Sequence, residues 1–235
     1  MRQFFGMSRN GNLAEAVRGL ERPQFIMLLS NNTQFEDHVR TLEKLYPAVP
    51  SIGCIGMSYD TRINENGVGV IAFLDGVTAA ANVLEQVSTM PVKYIRRLEQ
   101  DLAKVNASRH NTVCIDFCAG NDACVLTTMY TVLKNRGIQL VGGTGDAGKV
   151  SANGKIYEDA VAYGVVQNQG GRVKTYKENI YHQLDNYRFI ASNTDRAKYI
   201  IGSLNGKPAK QVYQSIRKVT DQQIVTPTFK HPFGK

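Results

Sequence analysis

The chain has 235 residues, enough for one large domain or two small ones whose core needs no disulfide or metal. Hydrophobic residues make up 43% and charged residues 20% of the sequence, which excludes a collagen-like, low-complexity or coiled-coil protein. The formal net charge is +8, and all of the excess falls late in the chain: residues 1–147 carry 14 basic and 14 acidic side chains, and residues 148–235 carry 14 and 6.

The first part of the chain alternates between helical and strand patterns. Helical spacing of apolar residues predicts two helices, residues 13–20 and 35–45, with Thr33 as N-cap of the second. Apolar runs bounded by turn residues predict three strands: residues 25–29, 49–55 and 68–74. Residues 77–87 fit either type, because their alanines favour a helix while their valines alternate as in a strand.

The middle of the chain continues this alternation. Pro91 begins a predicted amphipathic helix that runs to Val105, and residues 113–117 form a strand pattern. Asn121 or Asp122 can cap a helix that runs to Asn135, and residues 138–141 form the next strand.

The pattern after residue 150 is rich in strands. Turn residues and alternation predict five strands and one helix: strands at 155–157, 161–167, 172–176, 187–191 and 199–204, and a helix at 208–218. The fold class predicted is therefore α/β: alternating strands and helices followed by a β-rich portion, in layered mixed sheets flanked by helices. The polar segment 181–186 indicates a boundary between a domain of residues 1–183 and a second of 184–235.

The apolar runs, the first residues and the cysteines together predict a cytoplasmic location. No apolar run approaches the roughly 20 residues that cross a bilayer, so we expect no membrane span. The first residues lack the apolar stretch and cleavage site of an export signal. The four cysteines show no paired framework, which is typical of reduced thiols in a cytoplasmic protein: Cys54, Cys114, Cys118 and Cys124.

A glycine-rich segment follows the strand at 138–141. Gly143, Gly145 and Gly148 satisfy the spacing of the dinucleotide-binding fingerprint, which also requires a helix whose N-terminal amides receive the pyrophosphate. Residues 149–157 predict a turn and a strand instead, so we reject dinucleotide binding. The segment either lets a ligand approach the backbone, with Thr144 and Asp146 as hydrogen-bonding groups, or is only a turn that needs positive φ.

Cysteine and histidine chemistry leaves two alternatives open. The spacings between Cys114, Cys118 and Cys124 differ from paired zinc knuckles, so we expect no metal. Cys54 or Cys118 with a nearby histidine would make a cysteine-dependent hydrolase. Haem needs one axial histidine in an apolar pocket, for which the candidates are His182 and His231. Lysine and tyrosine interleave in residues 174–177, as in some platforms for single-stranded nucleic acid, but no ribonucleoprotein signature accompanies them, so we expect no nucleic-acid partner. We predict that His38 lies on a helix and is partly exposed.

Five segments together resemble the FIST sensory domain of bacterial signalling proteins. Residues 49–54 (VPSIGC) resemble its strand that ends in Gly-Cys, residues 140–146 (LVGGTGD) its glycine-rich loop, and residues 159–165 (DAVAYGV) the strand after it. Residues 204–213 (LNGKPAKQVY) and 229–234 (FKHPFG) resemble pieces of its C-terminal subdomain. The resemblance covers nearly the whole chain from about Phe25, although the C-terminal subdomain stops early, as in a truncated copy.

The resemblance implies a cytoplasmic sensory domain and not an enzyme. It implies binding of a small metabolite, such as an amino acid or another small carboxylate, and a signal passed to an effector module or protein. A haem-binding nitric oxide sensor is the alternative within this family. The ligand-binding residues we expect lie at strand ends: Cys54, Cys118, Asn121, Asp122, Gly143, Thr144 and Asp146.

Overall fold

The computed structural model describes residues 1–56, 58–59, 62–120, 122–176, 181–183, 186–195, 200–224, 227–228 and 231–232, with only the backbone for 58–59, 62–63 and 122–124. The chain forms two compact units, Met1–Thr175 and Tyr176–Lys235. In the part described, no helix is long and apolar enough to span a membrane.

The first unit contains a six-stranded mixed sheet. In chain order its strands are β1 (Arg2–Ser8), β2 (Phe25–Ser30), β3 (Ser51–Ile55), β6 (Val68–Asp75), β10 (Val150–Ala152) and β11 (Lys155–Tyr157). Their spatial order is β1-β6-β2-β3-β10-β11. Only β2 and β3 pair in parallel among neighbouring strands of this sheet. The parallel pair is joined by helix α2 (Phe35–Leu45), as parallel strands require a crossover.

A second sheet of the same unit has four strands. They are β7 (Val77–Glu85), β8 (Thr112–Cys118), β9 (Gln139–Thr144) and β12 (Ala160–Asn168), in the order β7-β12-β8-β9. Helix α4 (Asp122–Asn135) joins the parallel pair β8 and β9. Gly76, with φ of 66°, carries the chain from β6 in the first sheet to β7 in the second. A short hairpin of β4 (Ser58–Tyr59) and β5 (Arg62–Ile63) follows β3.

Alternation along the strands builds four layers. Along β2, Phe25 and Met27 face the second sheet, whereas Ile26 and Leu28 face the helices that cover the first sheet. These covering helices are α1 (Leu13–Ala16) and α2, which bury Leu13, Ala16, Phe35, Val39 and Leu42. The order of layers is therefore helices, sheet, sheet, helices.

The outer face of the second sheet is covered by α3 (Ile95–Lys104) and α4. Leu98 and Leu102 of α3 and Met129 of α4 are fully buried against this face. Tyr163 on β12 is also fully buried, and its hydroxyl donates to Oδ2 of Asp101 on α3 over 2.7 Å. This hydrogen bond satisfies the phenol in a mostly apolar layer.

The second unit is smaller and is described by itself. Strands β13 (Ala191–Asp195), β14 (Ile200–Leu204) and β15 (Lys207–Pro208) form an antiparallel sheet, followed by helix α5 (Ala209–Arg217). Short 3-10 turns occur at Asp146–Gly148 in the first unit and Asp221–Gln223 in the second.

The predicted fold class, layered mixed sheets with flanking helices, is confirmed. Several local predictions are wrong. Residues 172–176 are not a strand, and the strand predicted at 187–191 begins only at Ala191. The helix predicted from Pro91 begins at Ile95, after a turn. Strand β1 was not predicted, because an exposed edge strand leaves no clean alternation in Arg2–Ser8.

Candidate functional site

The carboxyl ends of β3 and β9, from different sheets, meet within the first unit. The Gly145 amide donates to the carbonyl oxygen of Cys118 over 2.9 Å. A Cβ atom on Gly145 would lie 2.8 Å from Cβ of Cys54, so glycine permits this close approach. The fold thus places Cys54, the end of β8 and the glycine-rich segment side by side.

Cys54 lies between the two sheets with 5% of its surface exposed. Burial, with a smaller contribution from the nearby carboxylate of Asp146, raises the pKa of the Cys54 thiol to about 12. The thiol is therefore protonated at neutral pH and is a poor nucleophile. Among the described side chains, no histidine forms a hydrogen bond with Cys54.

Cys118 belongs to a different layer from Cys54. Its side chain is buried with α3 and α4 on the outer face of the second sheet. Its Sγ lies 3.4 Å from Oδ2 of the buried Asp116 and donates a hydrogen bond to it. Two more predicted site residues lie next in the chain: Asn121 is outside the described residues, and Asp122 begins α4 with its side chain outside them.

The glycine-rich segment has two parts. Gly142 and Gly143 belong to β9, the edge strand of the second sheet, and Gly145 precedes the 3-10 turn Asp146–Gly148. The strand β10 follows this turn, which confirms that no helix is present to receive a pyrophosphate. Thr144 and Asp146 are exposed. Positive φ occurs at Ala147 and Gly148 but not at Gly142, Gly143 or Gly145. A left-handed backbone therefore does not explain why these last three positions are glycine.

Beside β9, apolar side chains that face the space between the two sheets are only partly buried, and we call this region the cleft. The register pairs Ile115 with Val141 and Phe117 with Gly143, and all four positions face the first sheet. Opposite them, Leu29 of β2 and Ile71 of β6 face the second sheet. Ile115, Phe117, Leu29 and Ile71 are only partly buried, Val141 is 46% exposed, and a Cβ on Gly143 would have no atom within 4 Å. The apolar side chains at this edge are therefore incompletely covered.

Sequence reasoning missed the apolar walls of this cleft. The alternation of Val113, Ile115 and Phe117 in β8 was visible, but it also fits an ordinary buried strand. Only the three-dimensional packing shows that these side chains remain partly exposed.

The histidines do not provide the apolar axial site that haem requires. His182 and His231 belong to the second unit, and both side chains are exposed. His38, predicted to be partly exposed, is 5% exposed because it lies on the inner face of α2 beside Val39 and Leu42. Its Nε2 donates to the Gly11 carbonyl over 2.8 Å, which leaves Nδ1 to accept from the Ser30 hydroxyl over 2.7 Å. Among the described residues, the haem candidates thus do not fit that group.

Comparison with known proteins gives one family match. The family model described as FIST N domain matches residues 24–207. No curated protein matches the chain. Among solved structures, the cyanuric acid hydrolase of A. caulinodans is similar over 71% of each chain, with 9% sequence identity and a TM-score of 0.37. A similarity at this level carries no inference about activity.

Proposed function

The chain belongs to the FIST family of sensory domains, and on that premise we propose that it binds a small metabolite in the cleft between its two sheets. The single observation that carries this proposal is the incomplete burial of apolar side chains beside β9. Side chains such as Ile115 and Phe117, which face the interior of the sandwich, stay partly exposed there. Concave, mostly apolar sites with a few polar groups at one end are typical of small-molecule binding.

The residues of the proposed site divide into walls and an end. Leu29, Ile71, Ile115 and Phe117 form the walls, and Gly143 leaves the opening clear. Cys54 and Asp146 supply the end, together with the strand-end residues Cys118, Asn121 and Asp122 that the sequence predicts. Thr144 pairs with Cys118 and faces the side of β9 opposite to Gly143, so Thr144 contributes through its backbone. Cys118 contributes through its backbone, since its side chain lies on the other face of the sheet.

Binding and signalling, not catalysis, is the role we propose. A buried thiol whose pKa is raised to about 12 supports this, because a cysteine hydrolase needs a thiolate. The ligand acts by stabilising one of two conformations, and the effector is a chemoreceptor-like, kinase or cyclic-dinucleotide module or protein. We place the protein in the cytoplasm and divide it at residue 183, with 184–235 beginning a C-terminal FIST subdomain.

A thermal-shift panel of amino acids, amines and small acids tests this proposal. A ligand that binds only the native state raises Tm. At a concentration 100 times Kd it increases the free energy of unfolding by about 2.7 kcal/mol. At Gly143 an added Cβ has no atom within 4 Å, so the variant Gly143→Leu places a bulky side chain at this edge and is expected to abolish the shift.

Gly170→Leu is the matched control, since a Cβ at Gly170 also has no atom within 4 Å. This control is expected to keep the ligand-induced shift. A panel without any hit, or a shift that survives in Gly143→Leu, would contradict binding in the cleft.

A further inference from the structure

The two sheets of the first unit repeat one arrangement of strands. In chain order, β1, β2, β3 and β6 correspond to β7, β8, β9 and β12, and the spatial orders β1-β6-β2-β3 and β7-β12-β8-β9 match strand for strand. Each set has one parallel pair, β2 with β3 and β8 with β9, and two antiparallel pairs. Helices α1 and α2 take the places in the chain that α3 and α4 take in the second set. The first unit therefore contains two equivalent modules.

The equivalence extends to single residues at the ends of the parallel pairs. The Gly56 amide donates to the carbonyl oxygen of the last residue of β2, and the Gly145 amide donates to that of the last residue of β8, both over 2.9 Å. Counting back from these two hydrogen bonds aligns residues 51–56 (SIGCIG) with residues 140–145 (LVGGTG). Strands β3 and β9 can therefore be compared position by position.

Each module also contains a hairpin. Strands β4 and β5 lie between β3 and β6, and β10 and β11 lie between β9 and β12. In both hairpins a serine pairs with an isoleucine that follows a basic residue, and two residues separate the strands. The residues are Ser58 and Arg62-Ile63 in the first hairpin, and Ser151 and Lys155-Ile156 in the second. The two hairpins are therefore equivalent as well.

The second hairpin shows what the edge of such a module accepts. Strand β10 pairs antiparallel with β3, so the hairpin of the second module extends the sheet of the first. The Asn153 amide donates there to the Ser51 carbonyl over 2.9 Å. Ala152 lies opposite Ile52, which is 1% exposed. The equivalent edge of β9 pairs with none of the described strands, and Val141, the counterpart of Ile52, is 46% exposed.

The edge of β9 offers the backbone groups that an added strand needs. These groups alternate in direction along a strand, and Gly145 bonds back to β8. Leu140 and Gly142 therefore present their N–H and C=O groups to the open edge, which is a template for pairing with another chain. Within the part of the chain that the structure describes, β4 and β5 pair only with each other. One acceptor edge and one donor hairpin thus lack a partner strand.

We propose that the edge of β9 binds the β4–β5 hairpin of a second copy of the chain, and that each copy gives its hairpin to the other. The pairing of β10 with β3 predicts the register: Ser58 of one copy lies opposite Gly142 of the other, and Tyr59 lies opposite Val141. The two exchanges close the assembly as a two-fold dimer. A second copy is the occupant that uses both the acceptor edge and the donor hairpin, and its binding does not depend on a ligand in the cleft.

Sedimentation velocity of the whole chain over a range of concentrations tests for this dimer. We expect a dimer, and we expect Val141→Asp to raise its Kd at least tenfold, because the substitution buries a carboxylate in the new strand pair. Phe5→Asp is the matched control, since Phe5 is 53% exposed on β1, at the other edge of the first sheet. This control is expected to leave the Kd unchanged, and circular dichroism checks that both variants fold.

Disulfide cross-linking tests which segments meet. Ser51 and Asn153 carry a hydrogen bond between β3 and β10, so the next pair, Ile52 with Ala152, is a non-hydrogen-bonded pair. Opposite Cα atoms in such a pair are about 4.5 Å apart, which suits a disulfide. We expect an oxidised mixture of Tyr59→Cys and Val141→Cys chains to form a covalent dimer, and neither variant alone nor the wild type to do so.

Three results would overturn the proposal. A chain that stays monomeric at every concentration leaves the edge of β9 to a partner other than a second copy. A covalent dimer of Val141→Cys alone indicates that β9 pairs with β9. A dimer that Phe5→Asp weakens and Val141→Asp does not is formed through the edge of β1.

Discussion

Glycine at position 142 is required by one buried carboxylate. Asp116 is 1% exposed on the outer face of the second sheet, and β9 pairs Gly142 with it. A Cβ at Gly142 would overlap both the backbone oxygen and Oδ1 of Asp116. The next residue, Gly143, faces the opposite side of the strand, where the space is open. Two adjacent glycines thus serve different purposes.

The pair allows a matched test of stability. Gly142→Ala is expected to lower the free energy of unfolding by about 1–3 kcal/mol, because the new methyl group must displace Asp116 or the strand backbone. Gly143→Ala is expected to change it by less than about 0.5 kcal/mol. Urea denaturation of both variants measures the difference, and equal loss in the two would contradict the assignment of faces.

Cys54 is predicted to be chemically inert in the folded protein. With its pKa raised to about 12, almost none of the thiol is ionised at about pH 8, and burial blocks access to reagents. Alkylation with iodoacetamide, followed by mass spectrometry of the Cys54 peptide, should show little labelling in native protein and rapid labelling in urea. Rapid labelling of the native protein would restore the cysteine hydrolase as a candidate.

At the scale of elements, α2 is tied to the start of the chain by one buried imidazole. His38 connects α2 to the Gly11 carbonyl in the turn between β1 and α1, and to Ser30 at the end of β2. Both contacts use the neutral ring with its proton on Nε2. A protonated ring would present a donor to Ser30 and carry a charge in an apolar layer.

Folding stability should therefore depend on the protonation of His38. Burial lowers the pKa of His38 below its ordinary value of 6.5. Below about pH 6.5 the unfolded chain binds this proton more readily than the native protein does, so the free energy of unfolding falls as the pH drops. The comparison is the urea midpoint at about pH 7 and pH 5 for wild type and His38→Gln. We expect the wild type to lose more stability over this interval, and equal losses would argue against the contribution of His38.

How far the elements were predictable depended on burial. The buried strands β2, β3 and β6 and the inward faces of α2 and α3 were clear, because burial on one or both faces imposes a regular apolar pattern. Strand β7 was ambiguous, since its alanines suit either a helix or a strand packed closely on another sheet. The sequence placed Cys54 and the glycine-rich segment at strand ends. It could not predict that they lie in contact, because this contact depends on how one sheet crosses the other.

For the whole molecule, the uneven charge takes on another meaning. A net charge of +8 by itself favours a polyanionic partner, yet the side chains that face the cleft are apolar. The basic excess after residue 148 extends into the second unit, Tyr176–Lys235. Overall charge therefore does not predict the charge of the ligand that this cleft prefers.

The division of the chain is also open to test. Because the first unit contains both large sheets and all three core clusters, we expect the fragment 1–175 to fold cooperatively by itself. Limited proteolysis should yield a resistant fragment that ends near residue 176. A shortest stable fragment that extends to residue 183 would instead support the boundary expected from the sequence.

The most direct test of the cleft is methyl NMR of the isoleucines during titration with a compound that raises Tm in the thermal-shift panel. Ile71 and Ile115 line the cleft on opposite sheets, and Ile26 and Ile138 are buried in the layers behind them and serve as internal references. Binding between the sheets predicts that the methyl resonances of Ile71 and Ile115 shift together and saturate at one Kd, while those of Ile26 and Ile138 change little. Saturable binding that leaves both Ile71 and Ile115 unshifted would contradict the account.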